Sequence, residues 1–223
     1  HIILLYCRQT NKIKGFSTLK TLEFELDGQK NYGVFSGDTV VDREFWGQRV
    51  LGRLFLQYLF LQKVKRPLKP FYWMLISKGY KTYLLMANNF EVHYPRHEKP
   101  TPKKVQSLMD GFARQLFDED YCQATGLIRF KESLGQLKPG IADANKNLTR
   151  ENPRIRYFAN KNPSWKEGTE LVCLARMTWS MPLYYALKSW IKLTQKALAL
   201  RPFRSGFEGG PSIEPMESTR TKA

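Results

Sequence analysis

Residues 32–54 combine glycines and a helix start in a way that could bind a phosphate group. A β-rich run ends at a polar turn, and a segment with Gly47 then leads into an apolar-periodic helix that contains Gly52. Backbone N–H groups at a helix N-terminus have no partner within the helix, so they bind phosphate well. Gly47 and Gly52 could equally be glycines that a turn and close packing require. The sequence therefore predicts a phosphate-binding segment and leaves a purely structural role open.

The charge of the chain favours anionic ligands. Its formal net charge is +16, from 36 Lys and Arg against 20 Asp and Glu. Such an excess attracts polyanions, anionic lipid and phosphate-bearing cofactors. The basic residues are spread along the chain, and neither zinc-finger spacing nor an RNP-like aromatic motif occurs. Nonspecific affinity for polyanions is expected, whereas a dedicated nucleic-acid recognition module is not indicated.

Three cysteines, Cys7, Cys122 and Cys173, are odd in number and far apart in the sequence. This usage is typical of reduced thiols and indicates a cytoplasmic protein. The cysteines and the three histidines have no metal-ligand spacing. No uninterrupted apolar run reaches membrane-spanning length. The sequence predicts neither a metal site nor a transmembrane segment.

The elements that must position these residues begin with three predicted strands. The apolar run Ile2–Tyr6 is typical of a strand buried on both faces. Within Ile13–Leu26, apolar and polar residues alternate as in a strand with one dry face. Asp27-Gly28 is a strong hairpin signal, and Tyr32–Val41 forms the third strand. Turns this short predict an antiparallel meander.

The apolar spacing then changes to that of a helix, which begins near Val50 and which Pro67 and Pro70 end. The elements predicted after it are a strand at Phe71–Ile76, a short helix at Gly79–Asn88, a strand at Phe90–Tyr94, a helix capped by Thr101 with Pro102 in its first turn, a strand at Thr169–Ala175 and a helix capped by Ser180. Residues 131–168 are predicted to be a long, partly ordered excursion, and the tail from Arg201 to be disordered.

This order of elements over residues 2–95 resembles the GNAT superfamily of N-acyltransferases, entered at the second strand of that fold. The local sequences that agree with the resemblance are Lys14-Gly15-Phe16, Val40-Val41 followed by Trp46-Gly47-Gln48-Arg49-Val50-Leu51, and Ala87-Asn88-Asn89-Phe90. The resemblance implies that the first strand and helices of the family precede His1.

The resemblance also implies a cosubstrate, acetyl-CoA or another acyl-CoA, bound at the start of the long helix. The corresponding residues are Val40, Val41, Gly47, Gln48, Arg49, Val50, Gly52 and Arg53. The family pattern is Arg/Gln-Gly-x-Gly-x-Gly/Ala, and here Trp46, Arg49 and Leu51 replace its first, fourth and sixth residues. Basic side chains could supply charge where the family uses close approach of the backbone.

In the family an acceptor amine attacks the thioester directly, in a cleft where the fourth and fifth strands splay apart and a backbone N–H holds the carbonyl oxygen. Asp38 lies on the strand that would line this cleft and is the first candidate base. The alternative is that Ser36-Gly37-Asp38 is a β-bulge with a structural role. His93 is a second candidate base or a polar residue near a strand end. Tyr83 is a candidate acid or a core aromatic, because Leu85 occupies the position of the family's tyrosine.

The sequence thus predicts an α/β (α+β) fold with a mixed, mostly antiparallel twisted sheet flanked by helices. Residues 1–100 would form the GNAT-like core, residues 101–200 a C-terminal extension packed on it, and residues 201–223 a disordered tail. The predicted function is acyl-CoA-dependent transfer to a small-molecule or peptide amine, without a metal. The alternative is a non-catalytic GNAT-like protein that binds a ligand or partner.

The predicted C-terminal helix carries a second surface feature. Lys188, Lys192 and Lys196 lie four residues apart, opposite an apolar stripe. This pattern could contact an anionic membrane surface, or it could be the solvated face of a packed helix.

Overall fold

A mixed sheet organises the part of the chain that the structure, a computed structural model, describes: residues 1–45, 48, 50–131 and 146–181. Its eight strands are β1 (Ile2–Tyr6), β2 (Ile13–Leu26), β3 (Gln29–Val41), β4 (Phe71–Ser77), β5 (His93–Tyr94), β6 (Tyr121–Cys122), β7 (Leu127–Ile128) and β8 (Glu170–Arg176). The helices in these ranges are α1 (Val50–Lys65), α2 (Tyr80–Asn89), α3 (Lys103–Phe117), α4 (Lys146–Glu151) and α5 (Pro153–Lys161).

The strands lie in the order β1-β2-β3-β4-β8-β7-β6, and β5 pairs with β8 beside that path. Strands β3 and β4 are parallel, and the other pairs are antiparallel. The prediction of a mixed, mostly antiparallel sheet flanked by helices is confirmed. The sheet takes strands from both sides of residue 100, the predicted boundary between core and extension. All described residues belong to the unit His1–Tyr185.

The hairpin between β2 and β3 follows directly from two residues. Asp27 and Gly28 have φ values of 53° and 71°, both in the left-handed region. A two-residue turn of this kind matches the twist of the strands that it joins, and it brings Leu26 opposite Gln29. The predicted antiparallel meander β1-β2-β3 is confirmed.

Strand β1 has no buried residue, so the prediction that both of its faces are buried is wrong. Its side chains alternate, with Ile2, Leu4 and Tyr6 exposed and Ile3 packed against the core. A continuous apolar run does not reveal whether a second layer covers the strand. Among the described residues, β1 pairs with β2 alone and is an edge strand of the sheet.

Two apolar clusters fill the two faces of the sheet. On one face, Leu59 of α1, Tyr83 of α2 and Phe158 of α5 belong to a cluster with Trp73 of β4. On the other, residues of α3 such as Phe112 pack with Tyr72, Met74 and Leu174. The helices therefore hold β4 and β8 between two dry layers, and this fixes the strand ends described below.

Two helix starts differ from prediction. The N-cap of α3 is Pro102, without a side-chain hydrogen bond, so the predicted Thr101 cap is wrong. Within the predicted excursion of residues 131–168, α5 begins where Asn152 Oδ1 accepts hydrogen bonds from the N–H groups of Arg154 and Ile155.

The predicted strand at Phe90–Tyr94 shortens to His93–Tyr94. The predicted helix after Ser180, from residue 182 onwards, and the tail lie outside the described residues.

Candidate functional site

The parallel strands β3 and β4 separate at their carboxyl ends. Their pairing stops at Ser36 and Leu75, although β3 continues to Val41 and β4 to Ser77. Helix α1 follows the end of β3, and α2 follows the end of β4. In open sheets, ligands bind in the crevice outside the carboxyl ends of parallel strands. The gap between these two strand ends is therefore the candidate binding cleft.

A β-bulge lies in β3 where it leaves β4. Ser17 pairs with Thr39 and Leu19 pairs with Ser36, so three steps along β3 oppose two steps along β2. The extra residue falls in residues 37–38, and the bulge that was the alternative interpretation of this segment is present. Bulges bend a strand and release backbone groups from the ladder. In the described part of the chain, no strand pairs with Gly37–Val40 on the side that faces β4.

The bulge is held in place by contacts on both sides. Trp73 of β4 donates a hydrogen bond from Nε1 to Oγ of Ser36 at 2.9 Å, and this fixes the last paired residue. At Gly37, a Cβ would lie 2.7 Å from Oγ1 of Thr18 on β2. The absence of a side chain at Gly37 is thus what lets β2 and the bulge approach so closely.

Alanine at Gly37 is expected to lower the free energy of unfolding by about 1 kcal/mol, because Thr18 or the strand must shift. The matched control is Gly52→Ala in α1, where a Cβ has no heavy atom within 4 Å. Alanine is the better helix former, so this control should raise the free energy of unfolding, by at most about 1 kcal/mol. Urea denaturation measures both changes. Destabilisation of similar size in both variants would contradict the assignment of Gly37 to a tight bulge.

The segment that joins β3 to α1 carries two carboxylates, and both of them pair with one lysine. Nζ of Lys14 on β2 lies 3.0 Å from Oδ2 of Asp42 and 2.6 Å from Oε1 of Glu44. The hydrogen bonds to Glu44 and Asp42 raise the pKa of Lys14, so its charge is retained. A phosphate that approaches this segment therefore meets carboxylates that are already paired with Lys14.

Those predicted cofactor-binding residues that the structure describes are at the end of β3 and the start of α1. Val40 is 54% exposed, and Val41 pairs with Gly15 of β2. Val50 is the first residue of α1, whose first turn contains no acidic residue. Gly52, also exposed, lies within that turn. These residues surround the carboxyl end of β3, which is one wall of the candidate cleft.

Gln48 and Arg53 contact each other at the start of α1. Nη2 of Arg53 lies 3.5 Å from the carbonyl oxygen of Gln48, which is a weak hydrogen bond to an exposed backbone. The guanidinium is therefore held near the start of α1 by a contact that an anion could replace. The predicted residues Gly47 and Arg49 lie outside the described residues.

Three charged residues lie in the bulge of β3, just after β4 and at the start of β8, and we call them the Glu170 cluster: Asp38, Lys78 and Glu170. Nζ of Lys78, just after β4, lies 3.4 Å from Oε1 of Glu170, the first residue of β8. Burial raises the pKa of Glu170, the charge of Lys78 opposes this change, and the charge of Asp38 adds to it. Asp38 itself is exposed in the bulge. A carboxyl with a raised pKa is better matched to accepting a proton near neutral pH.

The register between β4 and β8 brings Lys78 and Glu170 together. Ser77 pairs with Leu171, so the residues on either side, Lys78 and Glu170, become neighbours. Sequence reasoning did not identify either residue. The available signals were a glutamate at the start of an apolar strand and a lysine after another strand. Neither signal indicates that the two strands pair.

His93 lies at the other end of β8 from the Glu170 cluster. It pairs with Ala175, five residues along β8 from Glu170, which is about 16 Å. The side chain is 2% exposed, and its Nδ1–H donates to the carbonyl oxygen of Phe90 at 2.8 Å. Burial lowers the pKa of His93 to about 4. The structure therefore does not bring His93 together with Asp38.

Tyr83 is a core residue. It is 1% exposed and packs against Tyr157 and Phe158 of α5. Its hydroxyl donates to the carbonyl oxygen of Pro95 at 3.1 Å, and burial raises its pKa. These contacts favour the core role over the acid role that the sequence left open beside it.

Across the described ranges, no group of three or more His, Cys, Asp or Glu side chains could hold a metal ion. No helix of those ranges has the length and apolar character needed to cross a bilayer.

Comparison of the chain with protein-family models, with curated proteins and with solved structures found no match. The features that bear on function are therefore the separated ends of β3 and β4 and the Glu170 cluster.

Proposed function

We propose that the protein is a GNAT-like N-acyltransferase that uses an acyl-CoA. The observation that carries the proposal is the parallel pair β3/β4, which separates beside a β-bulge within an otherwise antiparallel sheet. The order of a three-stranded meander, α1, β4 and α2 agrees with the resemblance in the sequence. The resemblance assigns the thioester to a cleft between such a pair of strands.

The residues around the cleft suit an extended, anionic cosubstrate. The backbone of Gly37–Val40 offers hydrogen-bonding groups along one wall, as a sheet edge does to an added strand. The start of α1, with Arg53 in its first turn, offers N–H groups and positive charge for phosphates. The excess of Lys and Arg over the whole chain attracts such a ligand.

The acyl-CoA supplies a thioester carbon to which the amine nitrogen bonds as the C–S bond breaks. The sulfur leaves as a thiolate and becomes the thiol by taking the second proton that the nitrogen loses as the amide forms. An acceptor amine is mostly protonated at neutral pH and must lose a proton before it attacks. We assign Glu170 as the acceptor of that proton, because burial raises its pKa. Asp38, exposed at the bulge, attracts the cationic amine, and Lys78 holds the Glu170 carboxylate in place.

A second candidate function is ligand binding without turnover. The observation that favours it is the burial of Tyr83, whose hydroxyl is bonded to Pro95 and is not available to protonate a leaving thiolate. Under this alternative, the cleft binds an acyl-CoA or a similar nucleotide-containing ligand, and no amine is acylated.

The test is calorimetric titration of acetyl-CoA into the protein at two salt concentrations. We expect stoichiometric binding that persists at the higher salt and in Asp38→Ala. Arg53→Gln should weaken binding about tenfold through loss of one charge-assisted contact. The control, Lys65→Gln, removes the same charge at the far end of α1 and should leave the affinity unchanged.

Thiol release in the presence of a panel of amines then separates the two functions. Release that depends on an amine supports the transferase, and saturable binding without release supports the binding protein. A folded sample that does not bind acetyl-CoA at all contradicts both.

A further inference from the structure

A cavity of about 390 Å³ lies beneath the first two turns of α3, at the end of β4 opposite the candidate cleft. Tyr72, which lines the cavity, is five residues from Ser77, which is about 16 Å along the strand. The cavity has the size of a small-molecule site, since such pockets are commonly about 300–1,000 Å³. It is therefore separate from the Glu170 cluster, and no residue of that cluster lines it.

The lining of the cavity is layered. Its buried part consists of Tyr72, Tyr94, Leu108 and Leu174, with Pro70, Val92 and Val105 half-buried beside them. Its exposed part consists of Gln29, Lys104 and Arg176. No Asp or Glu is among these lining residues. The cavity thus has an apolar floor and a mouth that carries two positive charges.

Several polar groups at this cavity have no partner among the described residues and are reached by solvent. Within the ranges that the structure describes, Arg176, which is exposed, makes no ion pair, and the hydroxyls of Tyr72 and Tyr94 make no hydrogen bond. Tyr72 and Arg176 pair with each other across β4 and β8. Burial raises the pKa of Tyr72, and the charge of Arg176 opposes the increase. Lys104 has a loose ion pair with Asp27, at 3.8 Å between two exposed side chains.

We infer that this cavity binds a small amphipathic carboxylate. Its apolar body would cover Leu108 and Leu174, and its carboxylate would meet Arg176 and Lys104 at the mouth. Arginine binds carboxylates through two parallel N–H bonds, and the phenol hydroxyls add donors beside it. A neutral ligand would leave the guanidinium unpaired, and a cationic ligand would be repelled. This inference does not depend on the proposed transferase activity.

The test uses decanoate as the probe and decanol as its uncharged counterpart, titrated by calorimetry into the full chain. We expect decanoate to bind with a stoichiometry of one and at least tenfold more tightly than decanol. Arg176→Gln should weaken decanoate binding about tenfold. Lys103→Gln, which removes the same charge from the neighbouring residue outside the lining, should change it less than twofold.

A second variant tests the location. Val105→Trp places a large ring at the half-buried rim and should abolish binding of decanoate in a protein whose melting transition shows that it is folded. Three results would overturn the inference: equal affinity for decanol, equal loss in Arg176→Gln and Lys103→Gln, or unchanged affinity in folded Val105→Trp. Should Val105→Trp not fold, the comparison of the two charge variants decides alone.

Discussion

Replacement of Glu170 by glutamine is expected to lower kcat/KM for acyl transfer by about 10²–10⁴-fold, the usual contribution of a positioned general base. Glutamine keeps the size of the side chain and an oxygen that can accept from Lys78, but it cannot accept a proton from the amine. The measurement is the rate of thiol release with an acceptor amine, over a range of pH. In the variant, the remaining rate should follow the deprotonation of the free amine alone.

The control for this variant is Glu167→Gln, the same chemical change at an exposed carboxylate three residues earlier. It should leave kcat/KM within about twofold of the original protein. A folded Glu170→Gln protein that keeps most of its activity would rule out Glu170 as the base. In that case Asp38→Asn becomes the decisive variant, because Asp38 is the other carboxylate of the Glu170 cluster.

Loss of activity in Glu170→Gln should not result from unfolding. The pKa of Glu170 is raised in the folded protein, so the folded state binds the proton more tightly than the unfolded state does. The contribution of this group to stability is therefore greatest at low pH and falls as pH rises through the folded pKa. Glutamine carries no charge, so the variant does not lose the stability that ionisation of the buried Glu170 costs at neutral pH. A urea titration at pH 7 should show a variant at least close to the original protein in stability.

The elements whose signals are local could be predicted from the sequence. Asp27-Gly28 determines the hairpin because its two residues can adopt positive φ, and the bounds of β2, Ile13–Leu26, match the prediction. The helix beginning at Val50 follows from apolar spacing alone. The start of α5 also had a local signal, Asn152 followed by a proline, which the polar composition around it concealed.

The features that depend on distant parts of the chain could not be predicted. The exposure of β1 depends on what covers each face of the sheet, and an apolar run carries no such information. The contact of Lys78 with Glu170 depends on the pairing of β4 with β8, two strands that lie far apart in the sequence. Burial of His93 likewise depends on its pairing with Ala175 of β8, so its accessibility as a base was not evident. A candidate site formed across strands in this way becomes visible when the register is known.

The burial of His93 is expected to make the protein acid-labile between about pH 6.5 and pH 4. Its pKa is about 4 when folded, against 6.5 for the unperturbed group, because burial disfavours the charged ring. In this window the unfolded chain binds a proton that the folded protein does not. Stability is therefore full above the unfolded pKa and falls as pH falls. A difference of about 2.5 pKa units corresponds to about 3 kcal/mol.

The matched variant is His93→Asn, whose amide N–H can still donate to the carbonyl oxygen of Phe90 but which does not titrate. Urea unfolding at pH 7 and pH 4 should show that the original protein loses about 3 kcal/mol more than the variant. Hydrogen bonds from Arg96, its own backbone and Arg154 outweigh the opposing effect of burial and lower the pKa of Glu98 to about 2. Glu98 is present in both proteins, so its contribution cancels in the comparison. Equal losses in both proteins would mean that His93 takes up its proton in the folded state, and the packing of β5 against β8 would then need to be looser than described.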